Sequence, residues 1–194
     1  MNASRSTYQS KNKVVALLMF FFGGVLLFVN VLLVQQNNRL KVLAGRPDRA
    51  LEVKPGTALP SLEGLDRYGN RQSIGYGQDS RKTILLVLSP QCSACEENGP
   101  NLEAIINGLD RQSFRVAAVS LRSKGLNDYS SWRGFDQIPI LTNIDPKYRV
   151  AYNLALTPQI ILIDADGKVE KVWTGLLYGE AKQDVELALN VRLP

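Results

Sequence analysis

The chain contains two cysteines, and they form a single C-x-x-C, Cys92-Ser93-Ala94-Cys95. Such a pair can exchange thiols for disulfides or supply half of a four-ligand metal site, and its context decides between them. Residues 83–88 (TILLVL) form a continuous apolar run, the pattern of a strand buried on both faces. Beyond Pro90, apolar Leu102, Ile105, Ile106 and Leu109 recur at helical spacing. The motif therefore lies where a buried strand hands over to a helix. There Cys92 meets unpaired backbone N–H groups and the positive end of the macrodipole, both of which favour a thiolate. A thiolate is nucleophile and leaving group in disulfide exchange, so stabilising it promotes the reaction. Cys95, one helical turn later, is near enough to close a disulfide and is shielded from solvent. The chemistry expected is attack by Cys92 on a substrate disulfide, a mixed disulfide, and resolution by Cys95.

Composition removes most competing chemistries. The 194 residues include no His, which excludes imidazole triads, His-ligated zinc or copper and c-type haem attachment from within the chain. Two thiols are too few for a four-thiolate zinc site, and neither a metal nor another cofactor is expected. Asp164 and Asp166 offer too few ligands for calcium and read as turn residues. Glu96, Glu97 and Glu103 read as solvated helix-face charges, and Trp132 and Trp173 as packing or rim residues. A thiol peroxidase of the P-x-x-x-T-x-x-C type would need Pro and Thr seven and three residues before Cys92. Those positions hold Leu85 and Ser89. A non-catalytic adaptor that grips a partner without turnover is the other alternative.

Three further signals surround the motif. Pro100 follows Cys95 by five residues, where it would kink the helix. Thr157-Pro158 immediately precedes an apolar strand at residues 159–164, making it a candidate cis peptide. Asp166-Gly167 then turns the chain into a returning strand at 169–174. Ahead of the motif, residues 59–74 with Tyr68-Gly69-Asn70 read as a hairpin. Residues 115–121 and 139–141 read as strands, and 127–133, 147–153 and 180–191 as helices. Alternating strands and helices closed by a hairpin give a three-layer α/β domain with a mixed sheet.

The N-terminus is of another kind. Residues 14–34 contain no charged side chain and only one strongly polar one, Asn30. As a helix they would reach roughly 31 Å, enough to cross a bilayer. The run is too long for the apolar part of a cleaved signal peptide and is not striped like a core helix. The chain divides into a short cytoplasmic tail at 1–13, a transmembrane anchor at 14–34, a tether at 35–54 and a domain at 55–194. The net charge of +5 and pI near 9.3 arise in the first 51 residues, which balance to +6, whereas the remainder balances to −1. With no basic cluster on the domain, a nucleic-acid surface is not expected.

Taken with these motifs, residues 55–194 resemble the thioredoxin fold, and specifically the membrane-anchored TlpA/ResA-like redoxins. The features that carry the resemblance are the leading hairpin, Cys92-Ser93-Ala94-Cys95, Pro100, an insertion around 122–145, Thr157-Pro158 and the Asp166-Gly167 turn. Ser89-Pro90-Gln91 replaces the aromatic approach usual in that family and is similar to the MauD-type branch. Asn98 stands where the family commonly has an acid. The resemblance implies a thioredoxin-like three-layer sandwich behind one transmembrane helix, with Cys92 attacking, Cys95 resolving and a supporting Pro100. It implies a cis-Pro158 that, with Thr157, holds an extended substrate segment. It further implies a thiol–disulfide oxidoreductase in the cell membrane with its domain periplasmic or otherwise extracytoplasmic, acting on protein disulfides and fed by a membrane electron-donor thiol protein, as in cytochrome c maturation. Ser93 and Ala94 bring no cation to Cys92 while Glu96 and Glu97 lie nearby, which favours reduction over oxidation.

Overall fold

The computed structural model describes residues 19–36, 52–122 and 134–194. The expected tail at 1–13, the helix at 127–133 and Trp132 lie outside these residues, as do parts of the anchor, tether and insertion. The chain divides between Leu43 and Ala44 into two units.

The first unit contributes one described helix, α1 (Met19–Gln36), long and apolar enough to cross a membrane. Its 18 residues reach roughly 27 Å. Its large apolar side chains, including Phe20, Leu27 and Phe28, are exposed. The Asn30 amide donates to the Leu26 carbonyl at 2.8 Å, so the polar group is satisfied within the helix.

The second unit is organised by β3 (Lys82–Leu88), whose residues 83–88 are all buried. Side chains alternate across a strand, so an apolar run without polar interruption needs a packed layer on each face. Ile84, Leu86 and Leu88 join Leu102, Ile105, Ile106, Val185 and Leu189 in one core. Leu85 and Val87 join Leu62, Ile74, Tyr148 and Tyr152 in the other. The first layer holds α3 (Gly99–Gly108) and α5 (Gly179–Leu189), and the second holds α4 (Pro146–Ala151) and the hairpin of β1 (Leu62–Leu65) and β2 (Arg71–Ile74). Between them lie five strands in the order β5-β4-β3-β6-β7. Here β4 is Phe114–Ser120, β5 Ile140–Leu141, β6 Gln159–Ile163 and β7 Val169–Thr174. Strands β3, β4 and β5 run parallel, while β6 and β7 pair antiparallel, so the sheet is mixed as expected.

Element ends differ modestly from the expectations. The terminal helix stops at Leu189 because Asn190 turns left-handed with φ 51°, a conformation that asparagine adopts readily. Between strand and core helix the chain forms a short α2 (Ser93–Glu97), separated from α3 at Asn98. Pro100, in the first turn of α3, has no N–H to carry the ladder across this break.

The segment leading into the domain protects both sheet edges. Gly56 and Leu59 donate backbone hydrogen bonds to Val169 and Gly167 at 2.7 and 2.8 Å, beside β7. At the opposite edge Leu65 and Thr142 exchange bonds of 2.9 and 2.7 Å next to β5. Leu59 and Leu62 fill the second core between these points. Nine residues reach up to about 30 Å extended, against roughly 19 Å across five strands, so the strap crosses the face with slack to spare. Tyr152 donates to the Pro60 carbonyl on this strap at 2.5 Å, and Tyr76 then donates to the Tyr152 hydroxyl at 2.9 Å. Burial pushes the Tyr76 phenol up to about 12.

The strap's last contact depends on a missing side chain. A Cβ on Gly64 would stand 2.7 Å from Ile144 Cδ1 and 2.8 Å from the Thr142 carbonyl oxygen, closer than non-bonded atoms approach. Gly64→Ala is expected to push β1 off β5 and cost about 1–3 kcal/mol, as overpacking typically does. The urea-unfolding midpoint of the purified chain measures this, and an unchanged midpoint would contradict the packing described.

Candidate active site

Three strand ends meet at one end of the sheet. Leu88, the last residue of β3, is in register with Ser120, the last of β4. On the other side Val87 is in register with Gln159, the first residue of the antiparallel β6. The segments leaving β3 and β4 and entering β6 are therefore neighbours, and they carry Cys92, Arg122 and Thr157-Pro158 respectively.

Residues 89–91 turn the chain from β3 into α2. Pro90 is buried, and Gln91 adopts φ 63°, uncommon for a residue with a side chain. Cys92 follows as the N-cap of α2, half-buried, and is joined by a disulfide to the fully buried Cys95 with Cα atoms 5.2 Å apart. The Cys95 backbone N–H donates to Cys92 Sγ at 3.1 Å. With only five residues in α2, this directed bond replaces the helix-wide dipole expected from the sequence.

Thr157 and Pro158 face the pair. The Thr157-Pro158 bond is cis, and the Thr157 hydroxyl donates to Cys92 Sγ at 3.5 Å. Cys92 opens onto a cavity of about 460 Å³ whose wall includes Ser89, Pro90, Gln91, Thr157 and Arg122. The sequence reading assigned Arg122 no role. It lies 30 residues beyond Cys92, and only the parallel register of β3 and β4 brings it near. The carboxyl ends of adjacent parallel strands, where ligand sites collect in α/β sheets, were the available signal.

Asn98 is the second residue with an unforeseen part. It is 1% exposed, and its Oδ1 accepts from the Leu177 N–H at 3.2 Å and from Asn101 Nδ2 at 3.0 Å. Its Nδ2 donates to the Gly175 carbonyl at 3.5 Å, while the Gly175 N–H donates to the Pro158 carbonyl at 2.8 Å. A polar chain thus runs from the helix bearing Cys95 through the end of β7 to the cis-proline turn. An ionised carboxylate at this depth would carry the cost of burying a charge, and the neutral amide satisfies the same donors without it.

The other candidates take plainer places. Glu96 and Glu97 are exposed, and Glu97 accepts from the Tyr178 hydroxyl. Glu103 is half-buried on α3. Trp173 packs in the first core and donates from Nε1 to Asp184 at 2.8 Å. The Lys171 ammonium holds that Asp184 carboxyl below the usual carboxylate range. Asp164 accepts from the backbone of Asp166 and Lys168, as a turn residue does. Among the described residues no acid and thiol cluster is arranged to hold a metal.

Two outcomes test this geometry. Asn98→Ala would leave the buried Leu177 N–H without an acceptor and is expected to cost about 1–3 kcal/mol in thermal or urea unfolding. Thr157→Val preserves shape but removes a donor to Cys92. Alkylation of the reduced protein by iodoacetamide at pH 7 is expected to slow about two- to threefold, consistent with one weak hydrogen bond. An unchanged rate would deny that Thr157 contacts the reactive sulfur.

Comparison with known proteins agrees with this architecture. No family model matches the chain. It is 29% identical over 113 residues to a thioredoxin-like protein of Haemophilus influenzae, a match spanning 57% of this chain and 65% of that relative, less than two thirds of its length. The thioredoxin domain of a thiol–disulfide oxidoreductase from Bacteroides vulgatus superposes with TM-score 0.52 at 22% identity, covering 71% of this chain and 99% of that one. A peroxiredoxin-like protein from Aquifex aeolicus superposes with TM-score 0.51 at 16% identity, covering 63% and 77%. The chain has a thioredoxin-like α/β fold. Fold likeness extends to a thiol–disulfide oxidoreductase domain and to a peroxiredoxin-like protein alike, so the chemistry must be argued from the site.

Proposed function

We propose that this chain is a membrane-anchored thiol–disulfide oxidoreductase of the TlpA/ResA-like kind, reducing disulfides of partner proteins outside the cytoplasm. The observation that carries the proposal is the asymmetry of the pair. Cys92 borders an open cavity, while Cys95 is fully buried behind it. Only the first sulfur can meet a partner, and only the second is held back to resolve the product.

The cycle starts from the dithiol. Cys92 loses its proton and attacks one sulfur of the partner disulfide. That S–S bond breaks, and the departing partner thiolate takes up a proton. Cys95 then gives up its proton and attacks Cys92 Sγ. The intermolecular disulfide breaks, and the second partner thiolate is released and protonated. Two electrons have passed to the partner, and the Cys92–Cys95 disulfide remains until a membrane donor dithiol reduces it. While Cys92 carries negative charge, the Cys95 N–H and the Thr157 hydroxyl are its donors. The backbone of Thr157, ahead of cis-Pro158, would hold the extended partner segment, with Pro100 supporting the helix behind the site.

The anchor, tether and location belong to the same proposal. Helix α1 would span the bilayer, with tail 1–13 cytoplasmic and tether 35–54 leading to domain 55–194 outside. The extracytoplasmic side suits a protein whose clients carry disulfides, and cytochrome c maturation is a setting that uses such a reductant. Reduction is favoured over oxidation because Ser93 and Ala94 supply no charge within the motif and Glu96 and Glu97 follow it, while the cation on the cavity wall, Arg122, donates to Gln91 rather than to the sulfur.

The test uses the full chain in nonionic detergent. Cys92→Ser is expected to abolish reduction of a disulfide-bearing peptide, and Cys95→Ser to accumulate a covalent mixed disulfide through Cys92. Equilibration with dithiothreitol buffers should place the wild-type couple near or below thioredoxin, about −270 mV. A value near about −120 mV would reverse the direction, while partner-dependent activity surviving Cys92→Ser would replace catalysis with an adaptor role. Hydroperoxide turnover faster than disulfide exchange would favour a peroxidase.

A further inference from the structure

The wall of the Cys92 cavity carries one ionic side chain among the described residues, Arg122. It is exposed, yet its base is firmly built. Beyond the end of β4, Leu121 donates to the Leu88 carbonyl at 2.9 Å, and the Leu121 carbonyl accepts from Arg149 at 2.7 Å. The buried Ser120 hydroxyl donates to the Arg122 carbonyl at 2.7 Å. The chain is therefore held at both residues from which the side chain departs.

The guanidinium reaches a neutral partner. Arg122 Nη1 donates to Gln91 Oε1 at 3.3 Å, and both residues line the cavity with Cys92. Gln91 itself is held in a left-handed conformation that a side chain seldom adopts. This long bond to an amide orients the arginine without cancelling its charge. A guanidinium has five donors in a planar fork, and the bond to Gln91 uses one of them. No carboxylate among the described residues forms an ion pair with Arg122. The nearby acids Glu96 and Glu97 do not line the cavity.

We infer that Arg122, braced by Gln91, is a specificity-determining subsite that selects partner proteins carrying a carboxylate side chain beside the cysteine that exchanges with Cys92. This rests on the thiol-exchange reading above and adds to it a class of partner. A partner segment entering the cavity brings its reacting sulfur to Cys92, and its neighbouring side chain comes within range of the fork. Asp or Glu there gains a charge-assisted contact, Lys or Arg meets repulsion, and both effects weaken with salt.

The experiment measures exchange rates of the reduced full-length chain in nonionic detergent with three peptides. Each carries one cysteine in a mixed disulfide with a neutral aliphatic thiol, and they differ only in the preceding residue, Glu, Gln or Lys. At an ionic strength of about 20 mM the Glu peptide should react roughly fivefold faster than the Lys peptide, the scale expected of an exposed ion pair. The ratio should approach one at about 500 mM salt. Arg122→Lys should keep the preference, Arg122→Gln should bring the ratio within about twofold of one, and Arg122→Glu should invert it. A wild-type ratio near one at low salt, or a Glu preference that survives Arg122→Glu, would overturn the subsite while leaving exchange intact. Failure to react with all three peptides would instead sink the exchange reading, and the subsite with it.

Discussion

The domain depends on burying β3 on both faces. A strand whose residues 83–88 are all buried cannot lie at a surface, so helices α3 and α5 must cover one side and α4 with the hairpin the other. Burial also makes β3 central, with a parallel neighbour on one flank and an antiparallel one on the other. That mixed pairing has a chemical consequence. Parallel β4 ends where β3 ends, and antiparallel β6 begins there. The site is thus assembled from segments distant in the chain, and its geometry follows from the same hydrophobic pattern that stabilises the core.

Around these strand ends local preference yields to position. Gln91 accepts a left-handed backbone so that the chain can pass from a buried strand to a helix whose first turn ends in a buried cysteine. Asn98 is buried with both the oxygen and the nitrogen of its amide hydrogen-bonded, linking the cysteine helix to Gly175 and so to Pro158. Such departures cluster at sites where geometry matters more than propensity. They also explain why the sulfur faces a fixed threonine hydroxyl, since both sides of the pair are tied to one polar chain.

Much of this was legible in the sequence. The apolar run at 83–88, the strand at 115–121, the hairpin turn at Tyr68-Gly69-Asn70 and the Asp166-Gly167 return each name an element whose period or turn chemistry is local. The C-x-x-C gained meaning from its strand-to-helix context, and Thr157-Pro158 from its place before a strand. What escaped reading depends on contacts between distant segments. Arg122 resembled any linker arginine until register set it beside the end of β3. Asn98 read only as a replacement for an acid, because its partners Gly175 and Leu177 lie almost 80 residues away. The division of the helix at Asn98 was half visible, since Pro100 announces a break without placing it.

The strap has a mechanical consequence. Any load transmitted from the N-terminal side reaches the domain first at Val53, which is buried in the second core, and then at Gly56 and Leu59, whose bonds to Val169 and Gly167 hold the chain beside β7. The cysteine helix is anchored elsewhere, through Asn98 and the end of β3. A pull from the N-terminal side would therefore peel the strap from β7 before it distorted the thiol pair. The leading segment would thus act as a strain relief, yielding before the end of the sheet that carries Cys92 lost its shape.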